Sequence, residues 1–446
     1  MKSPDYFKKS VIYQIVLRNF TRKGTLQAAT GMLPHVRDCG ADIAYLTPFM
    51  TMDTDMDVSG WSPRQIKAGF NTPKNPYRIA DYNHVDPEYG DEKDLKTFVE
   101  RAHALGLRVI FDLVYYHCGP SCVVRDAVAD PFQHNPDGSI RTGQWNFPIF
   151  NFDNPELCEY LYANMLFFAR DIECDGFRCD VGDQVPATFW AEGLRRIREF
   201  NPDFVMINEG MDPGHLEKAF HACYNFSWSN AVNFGLRQNE EFPFSKWLKD
   251  EQEFISKVPE DACILRCIEN HDIANDYLEN RFDRSLPVEA GNAAFVMLFL
   301  QRGIPLLFNG NEIADNARSC FFGPVEDPRR AEQTVDWGRA LQPEGQQRLA
   351  LIRKLSALRH EEPAFYDGSM EWLENSAPDQ VATFIRTAPD GSRVFVAVNL
   401  SGLTLDFTMT KKVLPAHETL LSHELLLGTN GVWHTAPRGY IVTRLG

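Results

Sequence analysis

Eight short apolar runs alternate with amphipathic stretches between residue 11 and about residue 310, and this alternation constrains the fold more than any other feature. The runs are Val11–Val16, Ile43–Leu46, Val109–Val114, Gly176–Cys179, Phe204–Ile207, Ala222–Phe226, Ile264–Ile268 and Pro305–Phe308. Each predicts a strand buried on both faces, as parallel sheets require. Eight such strands separated by helices predict an α/β fold, the (β/α)8 TIM barrel. The helical signals fit. Glu92–Leu105 carries Leu95, Phe98, Val99 and Ala102 on one face and stops at Gly106. Asn154-Pro155 supplies an N-cap and a first-turn proline for a second helix. Ala187–Phe200, Gly291–Arg302 and Pro343–Arg359 read the same way.

Two intervals exceed a simple connection. One, between Leu46 and Val109, holds the Gly-, Pro- and Asn-rich stretch Ser59–Asn83; the other, between Val114 and Gly176, holds Cys118–Phe152. Long excursions in compact domains are usually binding loops, and both follow strands, which puts them on the C-terminal face where barrels keep their sites. Beyond residue 365 the pattern changes to β-prone runs, Val381–Arg386, Arg393–Asn399, Leu405–Thr408 and Tyr440–Arg444, broken by turn signals such as Pro389-Asp390-Gly391. The expected organisation is a barrel over residues 1–117 and 153–362, a short inserted subdomain at 118–152, and a C-terminal antiparallel, β-sandwich-like domain at 363–446.

A formal net charge of −16 argues against nucleic acid or an anionic membrane as partner and is compatible with a neutral ligand. No segment has the apolar length of a signal peptide or a membrane span, and the ten cysteines follow no disulfide framework, so the expectation is a cytoplasmic protein with reduced thiols. Cys118 and Cys122 beside His117 and His134 do not match a common zinc spacing. No Gly-rich phosphate loop supports a nucleotide-dependent enzyme.

The chemistry-bearing residues are acids at the ends of the predicted strands. Asp180 follows Gly176-Phe177-Arg178-Cys179, Glu209 follows Ile207-Asn208, and Asp272 follows Glu269-Asn270-His271. A carboxylate at the end of a buried strand is costly to desolvate, which favours function over packing. Asp180 and Glu209 are 29 residues apart, one βα unit, so they fit strands four and five; Glu209 and Asp272 are 63 apart, which puts Asp272 on strand seven. Asp112 then ends strand three, and four acids ring one mouth. A retaining glycosidase needs a carboxylate nucleophile and a protonated carboxyl about 5–5.5 Å apart. Arg178 points the same way as Asp180 along a strand and would keep it ionised. Glu209 has no neighbouring cation and suits a general acid. The bland alternative is that Arg178–Asp180 and His271–Asp272 are structural ion pairs; the joint spacing weighs against it.

At these residues the sequence resembles the α-amylase family, glycoside hydrolase family 13. Val11-Ile12-Tyr13-Gln14-Ile15, Ile79-Ala80-Asp81-Tyr82 with Val85-Asp86-Pro87, Phe111-Asp112-Leu113-Val114-Tyr115-Tyr116-His117, the three acid-bearing stretches, and Gly303-Ile304-Pro305 with Gly310-Asn311-Glu312 carry the likeness. It implies Asp180 as nucleophile, Glu209 as acid/base and Asp272 as transition-state stabiliser. It also implies that Tyr82, His117, Arg178 and His271 line the scissile-sugar subsite, Tyr82 by stacking. The implied reaction is retaining hydrolysis of α-glucosidic bonds in malto-oligosaccharides through a glycosyl–Asp180 intermediate. Alternatives are a transglycosylase or trehalose-synthase-like isomerase using the same site, or a non-catalytic sugar-binding paralogue. The implied partner is an oligosaccharide α-glucoside, with no nucleic acid and no membrane.

Two departures narrow the resemblance. Tyr116 stands where the family carries an asparagine that ligates calcium, so no metal is expected there; the Asp53–Asp57 loop is the other candidate for calcium, against a solvated acidic loop. Val181-Gly182-Asp183-Gln184 replaces the family's Lys-His on the acceptor side. Trp61, Trp145 and Trp228 are candidate stacking platforms, weighed against plain packing.

Overall fold

The computed structural model describes residues 2–236, 244–276, 281–324, 327–411 and 416–446. Eight parallel strands, β1 (Ile12–Ile15), β2 (Ile43–Leu46), β3 (Arg108–Leu113), β4 (Gly176–Cys179), β5 (Val205–Asn208), β6 (Ala222–Tyr224), β7 (Cys263–Cys267) and β8 (Ile304–Phe308), pair in sequence order, and β8 returns to β1. The expected (β/α)8 barrel is present, with each strand within two residues of its apolar run.

Alternation along the strands divides the core in two. Ile12, Ile43, Tyr45, Ile110, Ile207, Leu265 and Leu306 fill the barrel, and Phe7 of the helix Asp5–Lys9 joins them. Their neighbours pack outward against the helices. Gly176 opens β4 because a Cβ there would stand 2.6 Å from the carbonyl oxygen of Val205. The helix Glu92–Ala104 starts on a capping box formed by Asp91 and Asp94 and ends before Gly106, whose φ is +75°. Asn154 caps the helix Pro155–Leu166, its side chain accepting from the backbone of Glu156 and Leu157.

Both excursions carry structure that their composition concealed. The first forms an antiparallel ribbon, Met50–Met52 against Ile79–Val85, with the short helix Pro63–Ala68 between. The second folds back through antiparallel bridges, among them His117 to Ile149 and Phe132 to Phe150. Both lie on the C-terminal side of the barrel strands.

The helix Val288–Leu300 is apolar around its whole circumference because it is enclosed: the helix Pro343–Glu361 packs on one side and the C-terminal strands on another. Those strands are β9 (Ser369–Trp372), β10 (Val381–Thr387), β11 (Arg393–Asn399), β12 (Leu405–Phe407), β13 (Ala416–Leu427) and β14 (Trp433–Leu445). They join one antiparallel sheet in the order β9-β10-β11-β14-β12, with β13 also on β14. A sandwich would need two sheets. Here the long β14 bonds β11 through Tyr440–Arg444 and β12 through Trp433–Thr435, which keeps all six strands continuous. One face, with Phe384, Val396 and Val442, belongs to the main core; the other carries Phe395, Phe407 and Trp433. No helix among the described residues is long and apolar enough to cross a membrane.

Candidate active site

One fully buried cation organises the barrel mouth. Arg178 on β4 sits beside Asp112 on β3 in register, and its side chain is wholly enclosed. Its Nη1 donates to Asp112 Oδ1 at 2.7 Å and to Asp180 Oδ1 at 2.9 Å, and its Nη2 lies 2.5 Å from Glu209 Oε1. One guanidinium therefore faces three carboxylates. Asp112 is held from its other side by the hydroxyls of Tyr45 (2.6 Å) and Tyr77 (2.9 Å), which leaves Asp180 and Glu209 as the acids that face open space.

Both acids occupy the first residue past their strands. Glu209 Oε2 accepts the backbone N–H of Val181 at 2.9 Å. Val181 adopts φ +37°, a left-handed conformation that a β-branched residue rarely takes, so backbone strain is stored one residue from Asp180. Burial first, and then Glu209, push the Asp180 carboxyl well above the ordinary carboxylate range, against the pull of Arg178. Burial also raises Glu209, with Asp272 adding to it and Arg178 opposing. Arg178 is expected to keep Asp180 ionised; in the structure its charge is divided among three acids, and burial raises both Asp180 and Glu209.

Asp272 behaves oppositely. Burial would raise it, but His271, Arg64 and Arg178 together hold it well below the ordinary range. Arg64 Nη1 donates to Asp272 Oδ1 at 2.7 Å, and His271 Nε2 lies 3.2 Å from Oδ2. Gln14 fixes the tautomer of His271. Its Oε1 accepts the His271 backbone N–H, which turns its amide nitrogen toward Nδ1 at 2.9 Å and leaves the imidazole proton on Nε2. That Nε2 meets Tyr77 Oη at 2.5 Å, and the two rings stack 5.3 Å apart at 10°. Burial lowers His271 and His117 to about 4 each, so both imidazoles are neutral at neutral pH.

The acids open onto two adjoining cavities. An inner one of about 110 Å³ is bounded by Asp180, Glu209 and Asp272 with Arg64, Tyr77, His117, Trp145, Phe321 and Phe322 among its walls. An outer one of about 320 Å³ is lined by Tyr116, Gln144, Trp145, Val181, Asp183, Gln184 and Glu209. Among the described residues, Glu209 is the one carboxylate common to both. His117 lies in the inner wall with Nε2 3.1 Å from the carbonyl of Tyr77, and its buried Nδ1 has no protein partner.

The expected site residues divide accordingly. Asp180, Glu209, Asp272 and His117 meet at one cavity. Tyr82 does not reach it: the side chain is buried beneath, its hydroxyl donating to the carbonyls of Val114 (2.9 Å) and His117 (2.8 Å), with its ring against Tyr115 and Phe150. The aromatic wall is Tyr77, just before the ribbon strand that carries Tyr82. Arg178 is also displaced from the cavity, because a strand residue facing into the barrel lies under the loop residue two positions later. His271 stands behind Tyr77 rather than on the surface. Trp145 faces both cavities, whereas Trp228 is fully buried against Trp247 and Trp61 is buried with its indole N–H donating to the carbonyl of Asp55.

The donor chemistry does not fit a calcium ion of the family kind. Tyr116 brings a phenol to the outer cavity, and its carbonyl accepts from Phe150. In the Asp53–Asp57 loop each carboxylate accepts a backbone N–H two residues on, and Asp53 takes a second from Ser121. Asp183, Asp212 and His215 cluster near the outer cavity, but Asp183 already accepts from Asn208, Met211 and Asp212. All ten cysteines are unpaired.

Known proteins share this framework. Residues 3–137 match the family model described as alpha amylase, catalytic domain. The chain is 25% identical over 448 aligned residues to a cyclomaltodextrinase of Geobacillus thermopakistaniensis, covering 92% of this chain and 71% of that one. It is 22% identical over 462 residues to an intracellular maltogenic amylase of Bacillus subtilis, covering 95% and 76%. The crystal structure of an alpha-amylase from Lactobacillus plantarum superposes with a TM-score of 0.80 at 22% identity, covering 99% of this chain and all of that one, so the fold is common to both. With the closed barrel and the appended sheet, these matches make the chain similar to the α-amylase family, whose catalytic-domain model it matches over residues 3–137.

Proposed function

We propose that the chain is a retaining hydrolase of α-glucosidic bonds in malto-oligosaccharides, with Asp180 as nucleophile, Glu209 as acid/base and Asp272 as the acid that stabilises the transition state. The observation that carries the reading is the division of the acids between the cavities. A general acid must stand where the glycosidic oxygen crosses from donor sugar to leaving group, and Glu209 borders both spaces. A nucleophile must reach the anomeric carbon within the donor space, and Asp180 borders only the inner one. Asp180 and Glu209 lie against neighbouring nitrogens of one guanidinium, which favours the short separation of a retaining pair, about 5–5.5 Å, over the roughly 6.5–9.5 Å that an inverting pair needs for its water.

The sequence of events follows from these places. Asp180 attacks the anomeric carbon as the glycosidic bond breaks, and the proton on Glu209 passes to the departing oxygen. A covalent β-glycosyl ester on Asp180 results. Glu209, now a carboxylate, takes a proton from water as the water oxygen attacks the same carbon, releasing the sugar with its original α configuration and freeing Asp180. Asp272, which stays ionised, holds sugar hydroxyls and faces the positive charge that develops on the ring. The free Nδ1 of His117 accepts from a hydroxyl, and Tyr77 packs against the ring. No step passes through a metal, and turnover is expected to survive a chelator.

The α-glucan specificity rests on relatives whose names refer to cyclomaltodextrins and maltose, and the negative chain suits a neutral sugar. A second reading, transfer to a sugar hydroxyl, is favoured by the aromatic lining that Tyr116 and Trp145 give the outer cavity, which suits an acceptor ring as well as a leaving group. Proton NMR of the first product formed from maltotriose tests the mechanism: an initial α-anomer is expected, and an initial β-anomer would refute retention. New trisaccharides or longer oligosaccharides from concentrated maltose would establish transfer.

A further inference from the structure

We propose that Arg64 closes the donor end of the inner cavity, so that the enzyme works from non-reducing chain ends and releases one glucosyl unit at a time. This rests on the acid/base and nucleophile assignments above. If Glu209 marks the passage to the leaving group, then the opposite end of the inner cavity is where a second donor sugar would continue. Arg64 borders the inner cavity and not the outer one, as do Asp272, Phe321 and Phe322. Its guanidinium is fastened at three points: Nη1 to Asp272 Oδ1 at 2.7 Å, Nη2 to the Asp272 carbonyl at 3.3 Å, and Nε to Asp276 Oδ1 at 2.8 Å. It also lies 5.8 Å from the centre of the Phe321 ring.

The element that presents Arg64 is equally fixed. Ser62 caps the helix Pro63–Ala68 by accepting from the Gln65 backbone at 3.1 Å, and Gln65, fully buried, donates to the carbonyls of Thr72 (2.9 Å) and Pro73 (3.1 Å). The guanidinium bonds and the fixed helix together hold Arg64, whose side chain is 29% exposed, in place beside the cavity.

Size supports the same conclusion. The inner cavity, at about 110 Å³, is much smaller than the outer one, at about 320 Å³, so the donor side of the acids has the less room. The polar groups that border the inner cavity alone, among them Arg64, Ser62, Asn75 and Asp272, supply donors and acceptors suited to the free hydroxyls of a chain terminus. A ring of glucosyl units has no terminus and needs room on both sides of the bond to be cut, so cyclomaltodextrins are excluded by the same wall. This would separate the protein from its cyclomaltodextrinase relatives.

The test compares wild type and Arg64→Ala on maltohexaose labelled at its reducing end and on cyclomaltohexaose. The expected result is unlabelled glucose as the first product of the wild type with no ring opening. In Arg64→Ala, unlabelled maltose appears and cyclomaltohexaose is cut. Maltose or longer chains as first products of the wild type, or ring opening by it, would overturn the inference; so would an Arg64→Ala protein still confined to glucose. Arg64→Met, which keeps the stem and loses the fork, serves if the alanine protein does not fold, with the same two outcomes. Asp180→Asn run alongside separates the two readings: its retained activity defeats the catalytic assignment, whereas an altered product length with Asp180 essential defeats only the role of Arg64.

Discussion

Two fully buried arginines on barrel strands meet carboxylates in opposite ways. Among the described residues, Arg266 on β7 pairs with Glu251 alone, and Glu251 Oε2 also accepts from Asn225 (2.8 Å) and Ser227 (3.2 Å), while Arg266 Nε donates to the carbonyl of Arg302 at 2.7 Å. One charge answers one charge, away from both active-site cavities. Arg178 on β4 answers three carboxylates, two of which face a cavity. Buried ion pairs are balanced because an unpaired buried charge costs several kcal/mol. The surplus of negative charge at the barrel mouth departs from that balance, and a positive charge developing on a bound sugar is what would compensate it. The difference separates a structural ion pair from a site that performs chemistry.

Substitutions at the two arginine sites should have opposite effects. Asp180→Asn is expected to lower kcat at least about 10³-fold, as loss of a covalent nucleophile does, without lowering Tm. Glu209→Gln should lower kcat about 10²–10⁴-fold on malto-oligosaccharides and much less on a glucosyl fluoride, whose leaving group needs no proton. Arg266→Met should do the reverse: kcat is retained at permissive temperature, while chemical denaturation shows a loss of about 3–5 kcal/mol from stranding Glu251. Were Arg266→Met as inactive as Asp180→Asn, or Asp180→Asn as unstable as Arg266→Met, the contrast between the two arginines would fail.

Smaller effects follow from pH. Burial and mutual repulsion raise the folded-state pKa of Asp180 above its unfolded value, so its ionisation costs stability that is absent below about pH 4 and grows as pH rises through the folded value. Asp180→Asn should therefore gain in Tm over wild type at neutral pH and show no gain near pH 3. His117 and His271 act in the other direction. Their folded values near 4 lie below the unfolded value of about 6.5, so the stability they contribute is present above pH 6.5 and lost as pH falls toward 4. The Asp180→Asn variant, which lacks the opposing carboxyl, should lose Tm between pH 7 and 4.5, and a flat profile for it would contradict that account. The acidic limb of kcat/KM should lie above the ordinary carboxylate range, since both members of the pair are raised.

Much of this was legible in the sequence, for definable reasons. Strands buried on both faces leave continuous apolar runs, so β1 to β8 were readable, and βα spacing put Asp180, Glu209 and Asp272 at one mouth. Strand alternation also linked Arg178 to Asp180, although it could not show that the arginine lies beneath the floor and is shared. Tyr82 misled because it sits in a motif beside a recognisable strand, whereas Tyr77 follows Asn75-Pro76, where no periodicity speaks. Arg64 left no local signal: its meaning depends on Asp272, 208 residues away, and only the folded chain brings them together. The C-terminal strands were visible, but whether β14 joins one sheet or two depends on pairing along its length, which no local pattern encodes.

The most direct test is to trap the intermediate. Glu209→Gln protein mixed with an α-glucosyl fluoride should form the ester, because fluoride departs without an acid, and should hydrolyse it slowly for want of a base. Digestion and mass spectrometry are then expected to find one added hexosyl group on the peptide carrying Asp180, absent from the Asp180→Asn,Glu209→Gln double variant. Turnover of the fluoride with an unmodified Asp180 peptide and a β-configured product would contradict the account.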